Sequence, residues 1–299
     1  MSTSVFVAGA NGFIGGAVAR AFRREGYRVY GLVRNPQKTN DLLKDEILPV
    51  IGDMSDANIY KDAIQKCSII VDCVGGEEFN ETLFETVVAS SEPPAFAKTY
   101  IYTSGLLVYG HSEALLDENS PCRFEADAKR AAFDQRVIGE ERVRGIVMRP
   151  GFLYGRSGSY SSMFRPPSSL QDQKLVIRGN KNKRWSWIHV DDLCRAYVLA
   201  AVHSYKAKGQ IFNVVDHSAP TFEELFLAFA KAEGWKGEIE YQAEPGDDFV
   251  GLYCEMTCVA HPKKLEDVLG WTPKHVGLIP EVDLYVAALK AHQQGGERA

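Results

Sequence analysis

Short apolar runs alternate with amphipathic segments along the first half of the chain. The runs have the length of buried strands, and the segments between them carry apolar residues at helical spacing. The predicted strands cover residues 5–8, 29–33, 47–51, 69–74, 99–103 and 143–148, and the predicted helices cover residues 17–26, 58–66, 81–90 and 124–139. Strands and helices in strict rotation predict right-handed crossovers and a parallel sheet that helices cover on both faces.

The pattern changes after Pro150, where Gly, Ser and Pro cluster in the segment GRSGSYSSMFRPPSS. This composition predicts a loop or hinge region. Beyond it the pattern predicts strands at 175–177 and 210–215 and helices at 192–203, 221–233 and 280–291. We therefore expect a doubly wound α/β fold with a smaller C-terminal lobe, whose pocket is built from loops near residues 156–170 and 244–262.

Composition and charge limit the classes of molecule that the protein is expected to bind. The 299 residues are 45% hydrophobic, which is ample for a core, and 34 basic against 39 acidic residues give a net charge of −5. This charge offers no basic surface for nucleic acid or an anionic membrane. No signal peptide is evident and no window approaches the roughly 18 apolar residues of a membrane span. We therefore expect a cytoplasmic protein that binds neither nucleic acid nor membrane.

The six cysteines show no Cys-x-x-Cys pair and no regular spacing. Such a distribution is typical of reduced thiols in the cytosol. Cys254 and Cys258 are four residues apart and would share a face of a helix, but no matching Cys/His pair lies nearby in the sequence. We interpret them as packed thiols and expect no metal site.

The first predicted strand runs directly into GANGFIG, which places Gly9, Gly12 and Gly15 three residues apart at a strand-to-helix junction. A loop that binds a dinucleotide needs glycines for the tight turn, for close approach to the pyrophosphate and for helix packing. The free N–H groups at the start of the helix then face the anion. An ordinary turn is the lesser alternative for this position in the chain.

The end of the second predicted strand indicates which nucleotide is bound. NAD-binding loops place an acidic residue there for the adenosine ribose, whereas this chain has Val33, eighteen residues after Gly15. Arg34 follows, and its guanidinium suits a 2′-phosphate. A solvated surface arginine is the alternative. We predict NADP(H) rather than NAD.

Six motifs together resemble the extended, epimerase/dehydratase-like branch of the short-chain dehydrogenase/reductase superfamily. They are GANGFIG (9–15), GDMSD (52–56), VDCVGG (71–76), YTSGLLVYG (102–110), RPGFLYG (149–155) and RWSWIHVDDLCRAYVLAA (184–201). The resemblance implies a Rossmann domain over residues 1–155 that also receives segments near 184–215, and a substrate-binding lobe mainly over 156–299. The implied cofactor-binding residues are Gly9, Asn11, Gly12, Phe13, Ile14, Gly15, Arg34, Asp53, Met54, Val74, Gly75, Thr103, Gly151 and Phe152.

The catalytic side chains of that branch are absent from their usual places. The branch uses a Ser or Thr hydroxyl and a Tyr-x-x-x-Lys pair, in which the lysine and the nicotinamide ribose lower the pKa of the phenol. The hydroxyl's place is taken by Gly105. Registering Lys129 on the family lysine puts Glu125 in the tyrosine's place, and registering Arg130 there puts Ala126 in it. Neither register supplies a phenol.

Three residues are candidates for catalytic roles. Ser104 would orient a substrate carbonyl, with a buried serine bonded to backbone as the alternative. Lys129, or Arg130 in the other register, would hold the nicotinamide ribose, with a solvated charge as an equal alternative. Tyr160, in the Gly/Ser-rich loop, would donate a proton after loop closure.

Other residues in the motifs are interpreted as structural. We expect packing roles for Tyr109 and Tyr154, an N-cap at Asp191 or Asp192, and one tryptophan of the 184–201 segment in the core with the other on the cleft wall.

Three functions fit this sequence. The first is an NADP(H)-dependent oxidoreductase of the atypical extended type, which reduces a small carbonyl, imine or activated alkene. The second is a non-catalytic NADP(H)-binding protein whose partner affinity depends on the redox state of the nucleotide. The third is a redox-neutral epimerase, dehydratase or cyclase. A small-molecule substrate is expected for an enzyme, and the resemblance makes a homodimer a candidate state.

Overall fold

The computed structural model describes residues 3–75, 77–92, 97–157, 160–166, 174–244 and 255–296. Parts of the two predicted pocket loops, at 158–159, 167–170 and 245–254, lie outside the described residues, as does Cys254. The packing predicted for the Cys254 and Cys258 thiols therefore stays a prediction for Cys254.

Seven parallel strands form the central sheet. The strands of the described residues are β1 (Ser4–Ala8), β2 (Arg28–Val33), β3 (Leu48–Ile51), β4 (Ile69–Asp72), β5 (Thr99–Thr103), β6 (Arg144–Pro150), β7 (Phe152–Tyr154), β8 (Leu175–Arg178), β9 (Trp187–His189), β10 (Gln210–Val214) and β11 (Ile239–Gln242). The sheet order is β10-β6-β5-β4-β1-β2-β3. Strand order reverses between β1 and β4, so the carboxyl ends of these strands open the crevice where such sheets bind ligands.

Helices cover both faces of the sheet. They are α1 (Phe13–Arg24), α2 (Thr39–Lys44), α3 (Ala57–Lys66), α4 (Glu77–Ala89), α5 (Ala128–Gly139), α6 (Val190–Val202), α7 (Ser204–Ala207), α8 (Phe222–Ala232), α9 (Lys263–Leu269) and α10 (Val282–Gly296). Buried side chains of α1, α2, α6 and α9 share one core on one face, and those of α3, α4 and α5 share another core on the opposite face. The predicted doubly wound Rossmann fold is confirmed.

The boundaries predicted from the sequence are close but not identical. The strand predicted over 69–74 ends at Asp72, because the Asp72 carboxylate accepts the Val74 N–H and turns the chain away from the sheet. The helix predicted from 124 begins at Ala128 and follows a short 3₁₀ turn, Glu125–Asp127. The short elements β7, β11, α2, α7 and α9 were not predicted, since each has too few residues to show a period, and the strand expected through Trp185 and Trp187 is β9, which begins at Trp187.

A third core lies in the C-terminal lobe and is mainly aromatic. Phe152 stacks on Trp185 with ring centroids 3.6 Å apart, and Phe164 packs edge-on against Trp187 and Phe222. Trp185 and Trp187 are both fully buried, so the prediction that one of them forms a cleft wall is wrong. Phe152 lies between the tryptophans and the cleft, which explains why neither reaches it. The domain boundary near residue 155 stays a prediction.

The start of α6 also corrects an expectation. Neither Asp191 nor Asp192 is the N-cap; the cap is His189, whose Nδ1 accepts the backbone N–H of Asp191 at 3.1 Å. Asp192 instead accepts the backbone N–H groups of Lys274 and His275, each at 2.9 Å, and joins α6 to that distant segment. None of the helices in the described ranges is long and apolar enough to cross a membrane.

Candidate functional site

The glycine loop joins β1 to α1 through a tight turn in which Gly9 and Gly15 leave no room for a side chain. Gly9 has φ of +75°, and its carbonyl accepts the N–H of Gly12 at 2.9 Å. A Cβ at Gly15 would lie 2.2 Å from the Gly9 oxygen, so helix and loop could not approach as they do. Within the described chain no side chain caps α1, and its first N–H groups remain available to an anion.

Gly9, Asn11 and Gly12, which lead into α1, border a surface depression of about 270 Å³, which we call the outer groove. It is lined by Gly9, Asn11, Gly12, Leu32, Arg34, Asp53, Met54, Cys73, Val74 and Gly75. Eight of the predicted cofactor residues therefore lie together, although they come from four separate segments of the chain. The strand order accounts for this, because the carboxyl ends of β1, β2, β3 and β4 lie side by side.

Charge in the outer groove comes from Arg34 and Asp53. The Asp53 carboxylate accepts the backbone N–H and the hydroxyl of Ser55, at 2.9 and 2.7 Å. These bonds, and to a smaller extent the Arg34 charge, lower the pKa of Asp53. Val33 ends β2 as the sequence indicated, so no acidic side chain stands at the ribose position of that strand.

A second depression of about 300 Å³, the inner cleft, lies beside the first. It is lined by Ile14, Cys73, Val74, Gly75, Asn80, Tyr102, Thr103, Ser104, Gly105, Leu106, Leu107, Arg130, Pro150, Gly151, Phe152, Leu153 and Tyr160. Cys73, Val74 and Gly75 line both depressions, so the two lie side by side, and we call them together the trough. Predicted cofactor residues Ile14, Thr103, Gly151 and Phe152 lie in this inner part.

Two predicted cofactor residues line neither depression. Gly15 is buried beneath the loop, and Phe13 packs against the core formed with α6. Both residues therefore support the glycine loop from the side of the core and do not line the trough.

Of the two basic residues considered for the family lysine, Arg130 enters the inner cleft. Lys129 instead lines a neighbouring depression between α4 and α5, together with Glu81 and Arg136. The rotation of α5 thus brings Arg130 to the inner cleft and turns Lys129 away from it. Neighbouring residues on a helix point about 100° apart, which is why the sequence left both registers open.

Ser104 is buried at the wall of the inner cleft and bonds a side chain rather than backbone. Its hydroxyl donates to Asp134 Oδ2 at 3.1 Å, and the same oxygen receives Arg149 Nε at 2.9 Å and Nη2 at 2.8 Å. Burial raises the pKa of Asp134, while Arg149 and Ser104 act in the opposite direction. With its proton directed to Asp134, Ser104 presents lone pairs to the cleft, which accept hydrogen bonds rather than donate them.

Sequence reasoning missed Asp134 and Arg149. Their side chains are 0% and 1% exposed, and ionised groups are buried to this extent almost only in pairs. No spacing signal joins residues fifteen apart on a helix and a strand, so only the packing of α5 on β6 reveals them.

Thr103 ends β5 with its hydroxyl already engaged. It donates to the Asp72 carbonyl oxygen at 2.6 Å and lies 2.7 Å from the Tyr197 hydroxyl. Burial raises the pKa of Tyr197 well above its usual range, so this phenol stays protonated. Thr103 and Tyr197 therefore form a fixed floor beneath the trough.

The tyrosines near the inner cleft differ in exposure. Tyr109 donates to Asn213 at 2.8 Å and Tyr154 donates to Asp216 at 3.1 Å, and both are buried. Tyr160 is 47% exposed and packs its ring edge-on against Phe152 at 5.4 Å. Of these three, Tyr160 is the phenol that borders the cleft.

A histidine and carboxylate cluster lies behind the cleft. Candidate ligand atoms of His189, Asp191 and His275 lie within 4.8 Å of one another. Both oxygens of Asp191 receive Arg156 at 2.8 Å, His189 caps α6, and His275 Nδ1 lies 2.9 Å from Asp192. The bond to Asp192 raises the pKa of His275, whereas burial lowers the pKa of His189 to about 4. These contacts join the start of α6 to Arg156 and to His275.

Comparison with known proteins agrees with this geometry. The family described as NAD dependent epimerase/dehydratase matches residues 5–214. The chain is 24% identical to a putative UDP-arabinose 4-epimerase 2 of Arabidopsis thaliana, with 98% of this chain and 81% of that protein covered. It is also 24% identical to a bifunctional dihydroflavonol 4-reductase/flavanone 4-reductase of Pyrus communis, with 75% of each covered.

Among solved structures, the dTDP-glucose 4,6-dehydratase of Bacillus anthracis in complex with NAD superposes with a TM-score of 0.79 at 17% identity, covering 98% of both chains. At this identity the superposition supports the fold. The family match over most of the chain, together with the glycine loop and the shared trough, shows that this protein belongs to the NAD dependent epimerase/dehydratase family.

Proposed function

We propose that this protein is an NADP(H)-dependent oxidoreductase that reduces a small carbonyl, imine or activated alkene without a Ser-Tyr-Lys triad. One observation carries the proposal: the outer groove and the inner cleft lie side by side and share Cys73, Val74 and Gly75 in their walls. A dinucleotide is an extended molecule with an anionic middle. The trough offers an anion site at the start of α1 and a partly apolar space beyond it.

The fit to a dinucleotide rests on the backbone of the glycine loop. A Cβ at Gly15 would lie 2.2 Å from the Gly9 carbonyl oxygen, and one at Gly12 would lie 3.2 Å from it. A side chain at either position would push the loop away from the start of α1, and the backbone N–H groups there would no longer be accessible. The residues that would hold the nucleotide are those of the outer groove, with Ile14, Thr103, Gly151 and Phe152 beside its nicotinamide end.

The choice of NADP(H) over NAD(H) rests on Arg34 and Val33. Arg34 is exposed at the edge of the outer groove, where its planar donors can bind a phosphate bidentately. Val33 offers no acceptor to a ribose hydroxyl. An unmodified ribose would find no carboxylate at this strand end, whereas a 2′-phosphate would find a cation.

When bound, the reduced nicotinamide supplies a hydride, with its two electrons, to the substrate carbon. The reduced group then needs one proton: on the oxygen of a carbonyl, on the nitrogen of an imine, or on the alkene carbon beside the activating group. Tyr160 is placed to give that proton, because it borders the cleft and 47% of it is exposed, and water can replace the proton afterwards. Ser104 accepts a hydrogen bond from the substrate or from an ordered water. Lys129 does not line the inner cleft, whereas Arg130 does.

The direct test mixes purified protein, NADPH and a panel of carbonyl, imine and activated alkene compounds while the absorbance of the reduced nicotinamide is followed. We expect turnover with at least one class, and slower turnover with NADH. Tyr160→Phe should lower kcat by about 100-fold or more, because it removes the proton donor and keeps the ring contact with Phe152. The matched control is Tyr205→Phe, since Tyr205 is exposed on α7 and lies outside the trough.

Absence of turnover across the panel, with NADPH bound, would contradict the proposal. An unchanged kcat in Tyr160→Phe would show that water, and not Tyr160, donates the proton.

A non-catalytic NADP(H)-binding regulator is the second candidate. It is favoured by one observation, that the Ser104 hydroxyl is directed to Asp134 and cannot at the same time donate to a substrate oxygen. A regulator needs only different partner affinities in the two nucleotide states. Identical partner capture with NADPH, with NADP⁺ and without nucleotide would exclude it.

A further inference from the structure

The inner cleft contains one charged side chain. Of the described residues that line it, Arg130 alone carries a permanent charge, and no aspartate or glutamate is among them. Ile14, Leu106, Leu107 and Phe152 make much of the remaining wall apolar. Among the described residues, a ligand that enters the cleft therefore meets apolar side chains, uncharged polar groups such as Ser104 and Tyr160, and one guanidinium.

Gly105 makes room for this guanidinium. A Cβ built at Gly105 would lie 3.5 Å from Arg130 Nη1, so any side chain there would stand against the cation. The backbone at Gly105 is extended, with φ of −172°, and does not itself require glycine. The absence of a side chain at this position thus exposes the guanidinium to the cleft.

The Arg130 guanidinium makes only a long ion pair within the protein. Its ion pair with Asp127 joins Nε to Oδ1 at 3.8 Å, and the Arg130 side chain is 35% exposed. Asp134 also lies within electrostatic reach, but its Oδ2 receives Arg149 at 2.8 Å, which balances its charge. Arginine has five donors in a planar fork, so a second oxygen pair can be bound from the cleft side.

We propose that Arg130 determines specificity by binding a carboxylate, so that the substrates are carbonyl compounds with an apolar body and one carboxylate. One guanidinium matches one carboxylate in charge and in bidentate geometry. The inference rests on the proposed function for the reaction itself, whereas the binding of the carboxylate is independent of turnover.

The binding test uses phenylacetate and phenylacetamide, which have the same apolar body and differ in charge. Calorimetry is carried out on the protein with and without saturating NADPH. We expect wild-type protein to bind phenylacetate about 10-fold to 100-fold more tightly than phenylacetamide, as charge-assisted hydrogen bonds of this kind provide. Arg130→Gln should abolish the preference, and Arg130→Lys should retain part of it, because an ammonium lacks the planar fork.

The control variant is Arg136→Gln. Arg136 lies on the same helix, six residues further on, and pairs with Glu85 across α4 and α5 outside the inner cleft. It should keep the full preference for phenylacetate. Equal affinities for the two compounds in wild-type protein, or an unchanged preference in Arg130→Gln, would overturn the inference.

The reaction arm separates this inference from the proposed function. The turnover of phenylglyoxylate, which carries a carboxylate, is compared with that of acetophenone, which carries none. Arg130→Gln should raise the KM for phenylglyoxylate about 10-fold or more and leave the KM for acetophenone unchanged. Carboxylate binding that depends on Arg130, together with no turnover of either ketone or of any compound in the panel, would support the carboxylate site and contradict the reductase. A loss of NADPH affinity in Arg130→Gln with the phenylacetate preference intact would assign Arg130 to the nucleotide and overturn the inference.

Discussion

The outer groove and the inner cleft differ in what holds them together. In the outer groove the glycine loop is confined by backbone, since a Cβ at Gly15 would collide with the Gly9 carbonyl. In the inner cleft Gly105 faces only the movable end of Arg130, at 3.5 Å. The backbone around Gly15 therefore leaves no room for a side chain, whereas Gly105 can accept different side chains on the same backbone.

This difference explains how one fold can keep a nucleotide site while its reactive groups change. An anion bound by helix N–H groups depends on the path of the chain, which packing fixes. The chemistry at the other end of the trough depends on side chains at strand and helix ends, which can be exchanged without altering the sheet. Arg130 and Ser104 are such exchangeable positions here.

The largest loss of stability is expected from Asp134→Ala, which tests whether the buried Asp134–Arg149 pair supports the wall of the inner cleft. Removal of this carboxylate leaves Arg149 charged, buried and unpaired, so the free energy of unfolding should fall by about 3–5 kcal/mol. Urea denaturation measures the change. The control Asp127→Ala removes a half-buried partner 3.8 Å from Arg130 and should cost about 1 kcal/mol or less. Equal costs would show that the buried pair does not support the cleft.

Gly15→Ala tests the rigidity of the outer groove. Overpacking against Gly9 should lower the free energy of unfolding by about 1–3 kcal/mol and displace the amides that we propose bind the nucleotide. Denaturation and NADPH titration measure the two effects. Gly139→Ala, at the end of α5 with no atom within 4 Å of its Cβ, should leave both unchanged. Full NADPH affinity in Gly15→Ala would show that the loop tolerates a side chain.

Arg34→Ala separates the side-chain part of the outer groove from its backbone part. The affinity for NADPH should fall by about 1.5–3 kcal/mol, as expected for a hydrogen bond to a charged group, whereas the affinity for NADH should stay near its wild-type value. Lys38→Ala is the control, because Lys38 follows in the same loop and pairs with Asp41 at 3.7 Å. Equal losses for both nucleotides would contradict the 2′-phosphate assignment.

The smallest effect is expected from Gly105→Ser. Extended backbone and an ordinary 3.5 Å contact should keep the free energy of unfolding within about 0.5 kcal/mol of wild type. Gly151→Ala, also in the inner cleft, should cost about 1–3 kcal/mol, because its Cβ would lie 2.6 Å from the Ser186 oxygen. A thermal denaturation series compares them. A large cost at Gly105 would show that the inner cleft is as constrained as the outer groove.

Much of the fold followed from local patterns. The strand over 99–103 was predicted to the residue, and the other strands of the central sheet were predicted within two residues at each end. The N-cap at His189 was missed because a histidine rarely caps a helix and two aspartates follow it. The burial of both Trp185 and Trp187 was missed because alternation along a strand assumes that one face is open. Here Phe152 covers that face.

The sequence by itself determined the order of strands and helices, the glycine loop and the cation that follows β2, because each depends on residues close together in the chain. Only the tertiary structure decided that Arg130 rather than Lys129 enters the cleft, that Asp134 and Arg149 neutralise each other, and that the two depressions lie side by side. These features depend on how helices rotate against the sheet, and that rotation is set by the packing of side chains from distant segments.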